Sequence, residues 1–246
     1  MNNRRVVITG LGAITPLGLD LPTTWRNLLA GISGEGPITL FDPAPIPVKI
    51  AAEVKQFDPL NYMDRKQARR MDRFQQFAVA ASWEALAQAR LTIDDDIADQ
   101  VGVVIGSGAG GIGSHFTGAK VLLERGPRRI NPFTIPMVLT DMAAGQLAII
   151  LGARGPNCAV VSACASGNDA IGTAYETIRR GDAEVMLAGG AEAAITLIGV
   201  AAFDRTGALS HRNDPGHTSR PFDATRDGLV MGEGAAMLVL ESLDFA

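Results

Sequence analysis

Five short apolar runs rich in β-branched residues punctuate the chain: RVVITG from Arg5, VGVVIGSG from Val101, CAVVSA from Cys158, EVMLAGG from Glu184 and AAMLVLE from Ala235. Unbroken runs of this length are the pattern of strands buried on both faces of a helix-covered sheet. Between them, apolar residues recur at helical spacing. One helix is predicted to start near Pro22 and to carry Trp25, Leu28 and Leu29. Another spans residues 64–90, where Met71, Phe74, Ala78, Ala81 and Ala85 fall at i+3/i+4. Three more are predicted over residues 136–151, 166–180 and 193–203. Residues 31–54, rich in Gly and Pro, and the polar stretch 211–220 predict irregular surface. Strands alternating with helices predict an α/β fold, a mixed or parallel-rich sheet of five strands between helix layers.

Composition sharpens that picture. Of 246 residues 47% are hydrophobic but only 5% aromatic, with 28 glycines, so the core must be built from small aliphatic side chains and close helix–sheet approaches. At about 150 residues per domain the length allows one large domain or two small ones. A formal net charge of −4 argues against chain-wide attraction to nucleic acid. The N-terminus turns at once into a strand-like run, without the apolar h-region of a secretion signal. Every apolar stretch is interrupted before the roughly 20 residues that a membrane helix needs. The expectation is a soluble cytoplasmic protein.

The chemistry-bearing residues are few. If Cys158 and Cys164 shared one extended strand they would lie about 20 Å apart, well beyond the roughly 7 Å that a disulfide tolerates, so each must be explained singly. Cys158, inside a strand, is expected to be a small buried hydrophobe. Cys164 sits in VVSACASGNDAIG, where a buried strand gives way to small residues that open a helix. A thiol there meets the positive end of a helix dipole and unpaired N–H groups, which favour thiolate and can hold an oxyanion; the alternative is again a small buried hydrophobe.

IGSGAGG matches GxGxxG through Gly106, Gly108 and Gly111, but no acidic residue closes a second strand about 20 positions on, so no dinucleotide site is expected. Arg65, Lys66, Arg69, Arg70 and Arg73 place five cations on about two helical turns, with 66, 69/70 and 73 on one face. Asp94, Asp95 and Asp96 point in different directions, and His211 and His217 lack partners at zinc spacing, so no metal is expected. Arg220/Asp223 and Arg226/Asp227 are candidate ion pairs.

Five motifs carry a resemblance across the whole chain: RVVITGLGAITPLG at 5–18, RRMDRF at 69–74, IGSGAGG at 105–111, SACASG at 162–167 and SRPFDATRDGLVMGEGA at 219–235. In that order they resemble the N-terminal half of the β-ketoacyl-acyl carrier protein synthases, the elongating condensing enzymes of type II fatty-acid synthesis. The resemblance implies a thiolase-like fold and makes Cys164 the nucleophile. It places an acyl pocket at Gly108, Ala109 and Phe203, with Ala109 standing where elongating synthases usually carry isoleucine. It also implies docking of an acidic acyl carrier protein on Lys66, Arg69, Arg70, Arg128 and Arg129. Substrates would be malonyl and acyl thioesters on the carrier's phosphopantetheine arm, with no bound cofactor. The strand leading to the nucleophile would pair with its copy in a homodimer. None of His115, His211 and His217 stands in the family's two histidine motifs, which lie in the C-terminal half. Residues 1–246 are therefore expected to be one half of a two-part fold, lacking the histidines of condensation and leaving apolar surface uncovered. Two alternatives stay open, a polyketide ketosynthase and a non-catalytic carrier-binding subunit; the cysteine at 164 speaks against the second. Asp141 replaces an asparagine common in relatives, without an evident reason.

Overall fold

In the computed structural model, residues 4–246 are described. The chain runs β1 (Val6–Ile14), α1 (Leu21–Leu29), β2 (Gly36–Pro37), β3 (Ile50–Ala51), α2 (Arg65–Ala68), α3 (Arg73–Ala89), β4 (Val101–Gly106) and α4 (Ile112–Arg125). It continues α5 (Thr134–Val138), α6 (Met142–Leu151), β5 (Asn157–Val160), α7 (Ser166–Arg180), β6 (Val185–Glu192), α8 (Leu197–Arg205) and β7 (Gly234–Ser242). All five predicted runs are strands of one sheet, in the order β1-β7-β6-β4-β5. The sheet is mixed: β4 lies parallel to β5 and β6, while β7 is antiparallel to β6 and β1.

Side-chain alternation divides the core into two layers. Val103, Ile105, Val185, Leu187, Met237 and Val239 face α3 and α6. Val104, Met186, Ala188 and Leu240 face α7, packing on Ala170, Ala174 and Ile178. Because β4, β5 and β6 are parallel, their C-terminal ends open on one side of the sheet, where ligands of α/β sheets bind.

Several elements depart from the sequence pattern for identifiable reasons. The helix expected over residues 64–90 is broken after Ala68, because Asp64 and Asp72 each form a capping box, with Gln67 and Gln75. The second box restarts the chain as α3 and turns Arg73 away from the cations before it. Residues 136–151 likewise divide into α5 and α6. Helix α4 has no fully buried residue, so it left little apolar pattern to detect. Residues 31–54 carry a two-stranded ribbon, and Ile38, Ile46, Val48 and Ala51 form a small second core with Ile195, Val200 and Leu209. The last predicted helix starts at Leu197, where Thr196 caps it.

Cys158 corrects an expectation. It is exposed, because β5 is an edge strand paired only with β4. Cys164 lies beyond that strand in a turn, so the extended-strand premise fails; both thiols are nonetheless free. The expected ion pairs are also rearranged: Arg220 reaches Asp227 at 3.4 Å, and Arg226 Nη1 donates to the Asp223 carbonyl at 2.8 Å. Exposed apolar side chains include Trp25, Leu28 and Leu29 on α1, Ile8 and Leu11 on β1, and Phe222, which is 98% exposed. Among the described residues no helix is long and apolar enough to cross a membrane.

Candidate active site

The link from β5 to α7 is a tight elbow. Val160 ends the strand, and Ala163 adopts a left-handed backbone at φ 53°. For a residue with a Cβ that conformation costs about 1–2 kcal/mol, and it persists only where surrounding bonds hold it. Ser166 supplies them: its hydroxyl donates to the Ala163 carbonyl at 2.7 Å and accepts the Ser162 N–H at 2.9 Å. Gly106 lets the elbow sit on the end of β4, since a Cβ there would fall 2.1 Å from the Ser166 carbonyl oxygen. Cys164 occupies the middle of the single 3-10 turn Ala163–Ala165 and is exposed. The 15-residue helix α7 follows at once, with no side chain capping its first N–H groups. A nucleophile at Cys164 therefore meets a helix start whose backbone donors and dipole favour negative charge.

The glycine-rich loop after β4 borders this elbow. Its backbone is held by Glu192, the last residue of β6, whose Oε2 accepts the Gly108 and Ala109 N–H groups at 2.8 and 2.9 Å. Ser107 Oγ stands 3.4 Å from Glu192 Oε1 and accepts the Gly110 N–H at 3.1 Å. Of the expected pocket residues, Gly108 is exposed and Ala109 half-buried in this loop. Phe203 is 46% exposed on α8, which packs against α4.

The cation run proves to be two structures. Arg65, Lys66, Arg69 and Arg70 line a concavity of about 660 Å³ together with Arg129 and Phe133. Arg70 lies 4.5 Å over the Phe133 ring, and Arg128 sits on the same short turn as Arg129. Arg73 does not belong to this surface. It stacks on Phe77 at 4.6 Å and forks onto Glu233, with the closest contact at 2.7 Å. Glu233, whose side chain is 1% exposed, also accepts the Val54 N–H at 3.0 Å, so the pair ties α3 to the loop before β7.

A neighbouring groove of about 650 Å³ shares Arg129 and Asn131 with the basic concavity and is walled by Asp72, Phe116, Met137 and Ile195. Burial pushes the Asp72 carboxyl above its ordinary range, only partly offset by hydrogen bonds from the Ser114 hydroxyl and N–H at 2.5 and 3.2 Å. His211 Nε2 lies 2.6 Å from Asp204, His217 lies 3.6 Å from Asp214, and His115 is exposed on α4. Among the described residues no group of three His, Cys, Asp or Glu side chains is placed to hold a metal ion.

Sequence reasoning missed Glu192, Ser166 and the Arg73–Glu233 pair. A signal for Glu192 existed: GSG ends one predicted strand and AGG another, and in the sheet Gly106 pairs with Gly190, which brings the carboxylate two residues beyond that pair level with the loop.

The family model described as "Beta-ketoacyl synthase, N-terminal domain" matches residues 3–246. The chain is 50% identical over 244 residues to 3-oxoacyl-[acyl-carrier-protein] synthase 2 of Staphylococcus aureus (strain N315), a match covering 99% of this chain and 59% of that relative. The chain thus spans about three fifths of the curated relative. Among solved structures, a β-ketoacyl synthase from Burkholderia phymatum STM815 superposes with a TM-score of 0.88 at 38% identity, over 99% of this chain and 60% of the other. AntDE:AntF, described as a type II PKS acyl-carrier protein in complex with its ketosynthase bound to the hexaketide, gives a TM-score of 0.80 at 27% identity, over 99% and 64% of the respective chains.

Proposed function

The chain belongs to the β-ketoacyl synthase family, and we propose that it is the nucleophile-bearing part of a fatty-acid elongating 3-oxoacyl-acyl carrier protein synthase. The observation that carries this reading is Cys164, exposed in a left-handed elbow at the uncapped start of α7. The Cys164 sulfur attacks the thioester carbonyl of an acyl group on the carrier's phosphopantetheine arm. The negative charge that develops on oxygen is met by backbone donors, and the carrier's thiol leaves with the proton that Cys164 gave up. In the second stage malonyl-carrier protein loses carbon dioxide, its carbanion attacks the Cys164 thioester, and the cysteine sulfur departs as leaving group. Neither stage needs a bound cofactor.

The enolate of that second stage needs hydrogen-bond donors. His211 and His217 are engaged with aspartates, so we assign enolate stabilisation to the part of the relatives outside the matched 59%. This chain then supplies acylation, one wall of the pocket at Gly108 and Ala109, and the docking surface. Lys66, Arg69, Arg70, Arg128 and Arg129 are proposed to receive the acidic carrier protein, whose encounter is speeded by charge complementarity. The unpaired edge of β5 is the proposed homodimer seam. The enzyme is read as soluble and cytoplasmic.

A polyketide ketosynthase is the second reading, favoured by the likeness to AntDE:AntF at 27% identity. The 50% identity to a 3-oxoacyl synthase outweighs it. The test is labelling with iodoacetamide or cerulenin, read by peptide mass spectrometry. Modification concentrated at Cys164 and blocked by prior acyl thioester supports the reading. Equal, slow modification of both cysteines would overturn it.

A further inference from the structure

We propose that Glu192 is a positioning residue: its carboxylate clamps the 107–110 loop beside the nucleophile elbow and thereby sets which acyl lengths reach Cys164. The inference rests on the acyl-transfer reading above and adds a residue to it.

Three observations converge on this carboxylate. Its Oε2 accepts two successive backbone N–H groups, from Gly108 and Ala109, at 2.8 and 2.9 Å. Charge-assisted bonds of this kind are among the stronger local restraints on a loop. The position above Gly108 is bounded on two sides, since a Cβ there would lie 3.3 Å from Glu192 Oε2 and 3.5 Å from the Ala163 carbonyl oxygen. The loop is therefore wedged between the carboxylate and the elbow that carries Cys164. Finally, among the described residues no Lys, Arg or His forms an ion pair with Glu192. Its charge is committed to backbone amides rather than to a structural salt bridge.

Ala109 donates one of the two clamped N–H groups, so the clamp fixes the backbone of this half-buried residue, which the acyl-transfer reading makes part of the pocket wall. Glutamine keeps a carbonyl oxygen for the two N–H groups and turns its amide nitrogen toward Ser107 Oγ. Alanine leaves both N–H groups without this acceptor and frees the loop.

The test labels the full chain with a short and a long N-alkyl iodoacetamide and reads the long-to-short rate ratio at Cys164, with Cys158 as internal control. Glu192→Ala should move that ratio at least threefold toward unity while Cys158 labelling stays unchanged. Glu192→Gln should restore it to within twofold. An unchanged ratio in a folded Glu192→Ala chain overturns the proposal. Should that variant not fold, Glu192→Asp decides, because a carboxylate one methylene shorter is drawn back from the Gly108 and Ala109 N–H groups that it now meets at 2.8 and 2.9 Å; a ratio unmoved there overturns the proposal equally. Failure of the acyl-transfer reading looks different: in the unaltered chain Cys164 would then label no faster than Cys158.

Discussion

The Ser166 hydroxyl donates to the carbonyl of Ala163 at 2.7 Å, closing the elbow around Cys164 and Ala165, where the chain exposes the Cys164 thiol. The same oxygen accepts the Ser162 N–H, so one buried side chain holds the left-handed Ala163 from both sides. Ser166→Ala leaves a donor and an acceptor unpaired at a site only 3% exposed. The expected loss is about 2 kcal/mol, or roughly 4–8 °C in Tm for a chain of this size. Cys164 alkylation should slow several-fold relative to Cys158. Calorimetry and labelling together check this, and a slowed Cys164 with unchanged Tm would show that the strain is held elsewhere.

Glu233→Ala strands the Arg73 guanidinium, half-buried against Phe77, and leaves the Val54 N–H without its acceptor. Removing one partner of a buried pair costs about 3–5 kcal/mol. Urea unfolding should therefore show a large drop in midpoint. A change under about 1 kcal/mol would mean the pair is solvated in solution.

Reversing Lys66 and Arg69 to glutamate touches two exposed side chains of the basic concavity. Stability should stay within about 0.5 kcal/mol, as for ordinary surface changes. The Michaelis constant for acyl-carrier protein should rise about tenfold or more, while small acyl thioesters react as before. If both substrates respond alike, the concavity is not the docking surface.

The strands were legible because each is an unbroken apolar run, and the turn that carries Cys164 because small residues follow one of those runs, whereas the exposure of β5 at the sheet edge was not. The breaks in the helices were not, since a capping box at Asp72 is a local hydrogen-bond choice hidden inside a continuing apolar stripe. That hidden break also explains why Arg73 reads as one of five equivalent cations, although its partner Glu233 lies 160 positions away. Glu192 acts across neighbouring strands, so its role depends on sheet register, which no local pattern carries.

Asp72 makes a prediction in pH. Burial raises its carboxyl above the ordinary 3.8, against the pull of hydrogen bonds from Ser114 and the start of α3. The folded chain therefore binds this proton more tightly than the unfolded chain. The contribution of Asp72 to stability is fully present below 3.8 and declines as pH rises through the raised folded value. Glu53 has the opposite slope: burial pushes its carboxyl up, but bonds from Lys55, Thr39 and Leu40 outweigh it, so its contribution is lost as pH falls below the ordinary 4.5. Asp72→Asn keeps a capping oxygen and removes the titration. The Tm of the variant minus that of the unaltered chain should grow as pH rises from about 4 toward neutrality. A difference independent of pH would exclude Asp72 as the source.

Whether Cys164 receives the acyl group is read most directly by mixing the chain with an acyl-carrier protein thioester and mapping the adduct by peptide mass spectrometry. One acyl adduct is expected, on the peptide containing Cys164, absent from Cys164→Ala and weakened when Lys66 and Arg69 are reversed. An adduct that persists in Cys164→Ala, or an equal yield on Cys158, would contradict this role of Cys164.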